Sequence, residues 1–364
     1  MRETSLHSGM AGVPLDRRKI SGGVFAAVGA GFLPVGRARA EDWSPSEIRY
    51  GYSSITWGSD VEEAIAETAR VGLQGIEGRR PDWLRYVNRP LDLKRQFDEA
   101  GLALVSCSRD LDFFARDAPD QPAHFVDEAA IPKMIGDHVA FARDFIKPFG
   151  CKHFKFTLGG RSPEGPNDAQ LKIIARALNE IGKQTMAFGI QLAPHPHIGG
   201  TVILEHEIRT ILGQTDPNYV WMVMDTAHLT LAGMDPVAMI KEYYPRVAEV
   251  HYKDVPARYR GWKGPAPKQE MEDGKSLFQP MGTGGVDFPA LHAFLIGRKY
   301  KGWILLDYEA PRPGDGQGTL EQSILHNKNY LVDVLHVTTL GPSHPGQSKC
   351  EYKCTAADVA RDAR

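Results

Sequence analysis

Val220-Trp-Met-Val-Met-Asp225-Thr-Ala-His228 and Val247-Ala-Glu-Val-His251-Tyr-Lys-Asp254 are two apolar, β-rich runs that end in side chains able to hold a metal. Just upstream, Ile190-Gln-Leu-Ala-Pro-His195-Pro-His197 has the same form, and Trp303-Ile-Leu-Leu-Asp307-Tyr-Glu309 repeats it further on. Most of these runs lead, directly or through a short loop, into a segment of helical period. Strand, polar end, then helix, repeated, is how a (β/α)8 barrel presents the face where the C-terminal ends of its strands converge. The sequence therefore reads as a single-domain TIM barrel with a metal site in its mouth.

Working outward, the same alternation covers the rest of residues 47–336. Strands are expected over 47–57, 72–78, 102–108 and 151–157, then at the runs ending near His195, Asp225 and His251, and over 302–309. Helices are expected over 61–71, 91–100, 131–149, 169–188, 205–213, 287–300 and 320–335, and another opens at Asp235-Pro236 with its proline in the first turn. Asn167 is placed to cap the helix that follows it. Residues 109–129 read as a loop over the mouth. Residues 256–285, rich in Gly, Pro and Lys and without periodicity, form a loop too long to be idle in a compact domain, and are expected to act as a lid above strand seven. Residues 337–364 read as a disordered tail.

The first 40 residues differ in kind. Asp16-Arg17-Arg18-Lys19-Ile20 precedes a Gly- and Ala-rich apolar stretch, and Ala38-Arg39-Ala40 fits a small-residue cleavage site. That order is expected of a twin-arginine leader delivering a folded protein to the periplasm, and the stretch is too short to anchor the chain stably in a bilayer. Without residues 1–40 the chain keeps 37 basic and 43 acidic side chains, a formal −6, against −2 for the whole. Neither value produces a field suited to nucleic acid or an anionic membrane. Four cysteines suit a large core that needs no staples; Cys107 and Cys151 are expected as buried thiols, while Cys350 and Cys354 are a weak metal signal.

Side chains alternate along a strand, so His195 and His197 share a face, as do His251 and Lys253, and Asp307 and Glu309. Glu249 shares the face of His251 and would enter the barrel, unless the strand bends or a cation accompanies it. One histidine at a strand end is usually a hydrogen-bonded core residue, and one aspartate usually a helix cap. Two imidazoles and two carboxylates on four consecutive strands are a mixed N/O set, suited to Mn, Zn, Fe or Co more than to Ca or Mg.

His195-Pro-His197-Ile-Gly-Gly-Thr201, Asp225-Thr-Ala-His228, His251-Tyr-Lys-Asp254, Gly282-Thr-Gly-Gly-Val-Asp287-Phe and Gly302-Trp303 together resemble the xylose-isomerase-like superfamily of sugar isomerases and epimerases, nearest its inosose dehydratase-like branch. The resemblance covers about residues 48–336. It implies one divalent ion held by His195, Asp225, His251 and Asp307, with His197, His228 and Lys253 on substrate hydroxyls; Asp254 and Glu77 join the expected substrate contacts. Two positions depart from many epimerases of the superfamily. Strand five carries His195 where they carry glutamate, and strand eight ends in Asp307, with Glu309 two residues on, leaving the strand-eight ligand open between the two.

A carbonyl polarised by such an ion acidifies the neighbouring C–H, and a strand-end carboxylate or a lysine of lowered pKa can take the proton. Asp307 or Glu309 is the first candidate for that base and Lys155 the second. Replacement of the strand-five carboxylate by His195 tilts the expectation toward elimination or one-base isomerisation. Trp57, Trp83 and Trp262 are available to stack on a sugar face or to pack core and lid. No glycine-rich phosphate loop or arginine cluster accompanies the set, so the expected partner is an unphosphorylated carbohydrate: a keto-sugar, a 3-keto-glycoside or a cyclitol ketone. A homo-oligomer is compatible with all of this. Two rivals are an exported sugar-binding barrel without turnover and an endonuclease IV-like phosphodiesterase.

Overall fold

The computed structural model describes residues 48–58, 60–109, 125–309 and 318–340. The expected leader, residues 110–124 of the first expected loop, and the tail beyond residue 340 with Cys350 and Cys354 lie outside these. Within them, eight parallel strands follow one another as β1 (Arg49–Ser53), β2 (Gly75–Gly78), β3 (Ala103–Cys107), β4 (His153–Phe156), β5 (Gln191–Pro194), β6 (Met222–Asp225), β7 (Val247–Tyr252) and β8 (Trp303–Leu306). Their order around the sheet is β5-β4-β3-β2-β1-β8-β7-β6. A bridge between Leu192 and Val220 brings β5 against β6, which closes the ring. This is the expected TIM barrel.

The intervening helices have the local chemistry that the sequence indicates. They are α1 (Val61–Arg70), α2 (Pro90–Glu99), α3 (Ile131–Phe141), α4 (Asp168–Met186), α5 (Glu205–Gln214), α6 (Pro236–Glu242), α7 (Phe288–Gly297) and α8 (Leu320–Asn329). Asn167 caps α4 by accepting from the Gln170 amide at 3.0 Å, while the Gln170 side chain accepts from the Asn167 amide at 2.9 Å. Asp235 caps α6, whose first residue is Pro236. Two expected helices are shorter than their periodic patterns, because α3 and α8 widen into π turns at Ala142–Ile146 and Tyr330–Val334.

The strands are also shorter than their apolar runs, and this matters for the site. β5 stops at Pro194 and β8 at Leu306, so His195, His197, Asp307 and Glu309 occupy the first turns beyond the sheet. Pro196 has no N–H to continue the β5 ladder. The main apolar core lies between sheet and helices and includes Tyr52, Ile76, Phe154, Ile208 and Leu291, all fully or almost fully buried. Inside the ring the apolar side chains form two small groups, one with Trp221 and Val223 and the other with Val105, Trp303 and Leu305. Gly75 keeps this interior narrow: a β-carbon there would sit 2.7 Å from Val105 and 2.8 Å from Trp303. Cys107 and Cys151 are buried free thiols.

Candidate metal centre at the barrel mouth

Asp225 ends β6 and caps the short helix Thr226–Leu231: its Oδ1 accepts the amides of Ala227 at 2.8 Å and His228 at 2.9 Å. Its Oδ2 is buried and accepts no hydrogen bond. Neither ring nitrogen of His195 has a hydrogen-bond partner, and the ring is buried. Burial and the neighbouring Lys155 hold His195 well below the usual histidine range, so the imidazole is neutral and keeps a lone pair. Burial alone would raise Asp225, but His228, His251 and Lys253 outweigh it and hold the carboxyl at about 2. One ligand atom from each of His195, Asp225 and His251 falls within 4.8 Å of the others. A neutral imidazole and an ionised carboxylate left bare in one buried spot fit a cation, since unpaired polar atoms in such a place are otherwise costly.

His251 links this spot to the barrel interior. Its Nδ1 lies 3.0 Å from Asp307 Oδ2 and 3.6 Å from Asp225 Oδ2; its Nε2 lies 2.9 Å from Glu77 Oε2 and 3.5 Å from Glu249 Oε1. An imidazole that gives one N–H to a carboxylate and turns its other nitrogen toward a cation is the usual orienting arrangement around metal ligands. Glu249 does enter the barrel. It accepts from Ser106 Oγ at 2.8 Å, lies 3.2 Å from His153 Nδ1, and is held below the usual carboxylate range because His153 and His251 outweigh its burial. Glu77, fully buried, accepts from Ser53 Oγ at 3.0 Å and from Lys155 Nζ. Burial alone would lower Lys155, but Glu77, Asp307 and Glu249 outweigh it and hold the ammonium above its ordinary value.

Beside this spot, Lys253 Nζ pairs with Asp307 Oδ1 at 3.1 Å and Glu309 Oε1 at 3.2 Å, and sits 3.7 Å above the centre of the Phe278 ring. Lys253 and His251 keep Asp307 ionised against the effect of its burial. His197 and His228 lie with ring centres 3.7 Å apart and planes tilted by 41°, and Glu270 reaches His197 Nε2 with its Oε1 at 3.2 Å.

The structure thus draws His195, Asp225, His251, Asp307, His197, His228, Lys253 and Glu309 together at the mouth, while Glu77 and Lys155 lie among the interior charges. Asp254 has both carboxylate oxygens saturated by the amides of Val255, Gly282, Gly284 and Val286, which makes it the anchor of the lid's return rather than a free group for substrate. Trp57 is buried edge-on against Tyr52, and Trp83 packs on Phe141 and donates to Ser108 O. Trp262 packs within the lid on Tyr259 and donates to Pro265 O. Sequence reasoning did not select Ser53, Ser106, His153 or Glu270. Strand parity was the available signal for His153, as it was for Glu249; Glu270 carries none, because its segment has no period.

A family described as xylose isomerase-like TIM barrel matches residues 65–330. The chain is similar to an inosose dehydratase of Clostridium beijerinckii, 25% identical over 289 residues that span 72% of this chain and 90% of the relative. Among solved structures it superposes on the IOLI protein with a bound zinc atom, at a TM-score of 0.60 and 17% identity over 79% of this chain and 98% of that one. It also superposes on D-allulose 3-epimerase from Methylomonas sp. in complex with D-allulose, at 0.61 and 17% over 80% and 98%. At such identities the structural likeness speaks for the fold.

Proposed function

The chain belongs to the xylose isomerase-like TIM barrel family, and from that premise we propose that it is a divalent-metal-dependent sugar isomerase or dehydratase acting on an unphosphorylated ketone of the keto-sugar, 3-keto-glycoside or cyclitol type. The observation that carries this reading is the buried cluster of His195 and Asp225, whose His195 ring nitrogens and Asp225 Oδ2 accept and donate no hydrogen bond. We assign His195, Asp225, His251 and Asp307 as the ligands, a mixed N/O set suited to Mn, Zn, Co or Fe. The chemistry such an ion supplies when bound is polarisation of a carbonyl, which acidifies the C–H beside it.

The chain's own groups divide the remaining work. Asp307 lies between His251 and Lys253 and stays ionised, which suits a ligand better than a base. Glu309, 3.2 Å from Lys253 and with a side chain 11% exposed, is the group we assign to take the proton. Lys155 is an ammonium held by Glu77 and has no lone pair with which to accept one; we give it the task of balancing the interior carboxylates. His197, His228 and Lys253 line the place where substrate hydroxyls would lie. The similarity to an inosose dehydratase favours elimination over epimerisation.

Purified protein supplied with Mn, Zn, Co or Fe, mixed in D2O with a panel of such ketones, should incorporate deuterium beside the carbonyl of at least one; chelator should abolish it. Metal-loaded protein that exchanges nothing across the panel would reject the reading. We also propose export through the twin-arginine route, from the Arg17-Arg18 motif in residues 1–40. A reporter fused to those residues should reach the periplasm, and should stop doing so when both arginines become lysine.

A further inference from the structure

The lid places one aromatic ring against the charged groups of the mouth. After the hairpin Met271–Glu272 and Lys275–Ser276, whose residues 272–275 are exposed, the chain turns inward and Phe278 is 1% exposed. Its backbone is fixed on both sides. The Leu277 amide donates to Glu270 O at 2.8 Å, the Gln279 amide donates to Asp254 O at 3.1 Å, and the amide of Phe278 itself donates to Ser276 Oγ at 3.1 Å. From this clamped position the ring lies edge-on to His228, with centres 5.5 Å apart and planes at 88°, and presents its face to Lys253 Nζ at 3.7 Å.

The Lys253 ammonium has three hydrogens and three neighbours: Asp307 Oδ1 at 3.1 Å, Glu309 Oε1 at 3.2 Å and the ring face. Two carboxylates alone would leave a flexible lysine free to swing about the line that joins them. The negative face of a ring closes the third side, and in a buried place its attraction for a cation is at its strongest. Asp307 also reaches His251 Nδ1 with its other oxygen at 3.0 Å, so Lys253 joins the assigned metal ligands to the assigned base, Glu309. We propose that Phe278 is a positioning residue: its ring fixes the Lys253 ammonium between Asp307 and Glu309, and through it the lid sets where the base stands relative to the metal ligands. The assignment rests on the reading of Glu309 given above. Phe278 touches no reacting atom in this scheme; without its face, Lys253 swings and takes Glu309 with it. Since a misplaced base slows the proton transfer more than it weakens substrate binding, the loss falls on kcat. Because Phe278 belongs to the lid and Glu309 to the barrel, the base is in register only while residues 276–279 are in place.

The test separates the face of the ring from its bulk. Phe278→Leu keeps an apolar side chain but has no π face, and pentafluorophenylalanine at position 278 keeps the ring's shape while reversing its quadrupole. With metal-loaded protein and a ketone that wild type exchanges in D2O, both should lower kcat for exchange about tenfold and leave KM within about twofold. Wild-type kcat with the fluorinated ring would show that the ring only packs, and a loss confined to KM would place Phe278 on the substrate; either overturns the proposal. A second readout needs no activity. In protein labelled with 13C-lysine, the ε-methylene protons of Lys253, assigned by their absence from Lys253→Arg, should resonate upfield of the other lysines and return toward them in Phe278→Leu. An unshifted Lys253 resonance in wild type would also overturn it. Wild-type protein that exchanges no proton would sink the reaction reading and this role of Phe278 with it. A Lys253 resonance still shifted in that case would show that the failure lay in the reading and not in the contact.

Discussion

Asp225 shows how one residue can satisfy two explanations at once. Its Oδ1 caps a helix and its Oδ2 is free for a cation, so the two roles can be separated by substitution. Asp225→Asn retains the capping oxygen; in the presence of chelator its urea unfolding should match wild type to within about 1 kcal/mol, whereas Asp225→Ala should lose about 1 kcal/mol more. Both should weaken Zn binding, by calorimetry, at least tenfold. If Asp225→Asn bound Zn as wild type does, the ligand assignment would be wrong. The interior pair Lys155 and Glu77 makes a second test. Lys155→Met alone strands a buried carboxylate and should cost on the order of 3 kcal/mol. Combined with Glu77→Gln the loss should be smaller, and simple additivity would mean that the two charges do not depend on each other.

At the scale of elements, α3 carries a titrating group away from the site. His138 sits among Phe125, Phe154 and Phe156 with its Nδ1 on Met134 O at 2.7 Å, and burial lowers it from 6.5 to about 4. Between those values the unfolded chain holds the proton and the folded one does not. The contribution is therefore complete above about pH 6.5, is lost as pH falls toward 4, and amounts to about 3 kcal/mol. Urea unfolding of wild type and His138→Phe should diverge by this amount across that window; parallel curves would refute it. The lid is the other element with a defined point of failure. Asp254 gathers its returning amides, and a β-carbon at Gly284 would run into Val255 O and the Asp254 carboxylate. Gly284→Ala should speed proteolytic cleavage within residues 256–285 while far-ultraviolet dichroism stays unchanged. Equal cleavage rates would show the anchor to be dispensable.

For the molecule as a whole, four proposed ligands come from four strands, so an ion bound there ties β5 to β8 and should stabilise the folded chain. At a free metal concentration about 100 times its Kd, the gain is about 2.7 kcal/mol, visible as a melting temperature that rises with metal and falls back with chelator. An unchanged melt at saturating metal would contradict a site spanning the barrel. The barrel was legible beforehand because its signals are local. Short apolar runs ending in polar residues, helices with Asn167 and Asp235 at their starts, and Asp225 before Thr-Ala-His228 can each be read within a few positions. Strand parity likewise placed His251 and Glu249 on one face. What sequence alone left open were relations between distant positions: that Glu77 and Lys155 neutralise one another inside the ring, that His251 stands between two pairs of carboxylates, and that Glu270 crosses from an aperiodic lid to His197. Periodicity records only which face a side chain takes on its own element. Who meets whom across the mouth is decided when the ring closes and the lid folds over it, since burial and electrostatic pairing act through space and leave no mark in the spacing of residues.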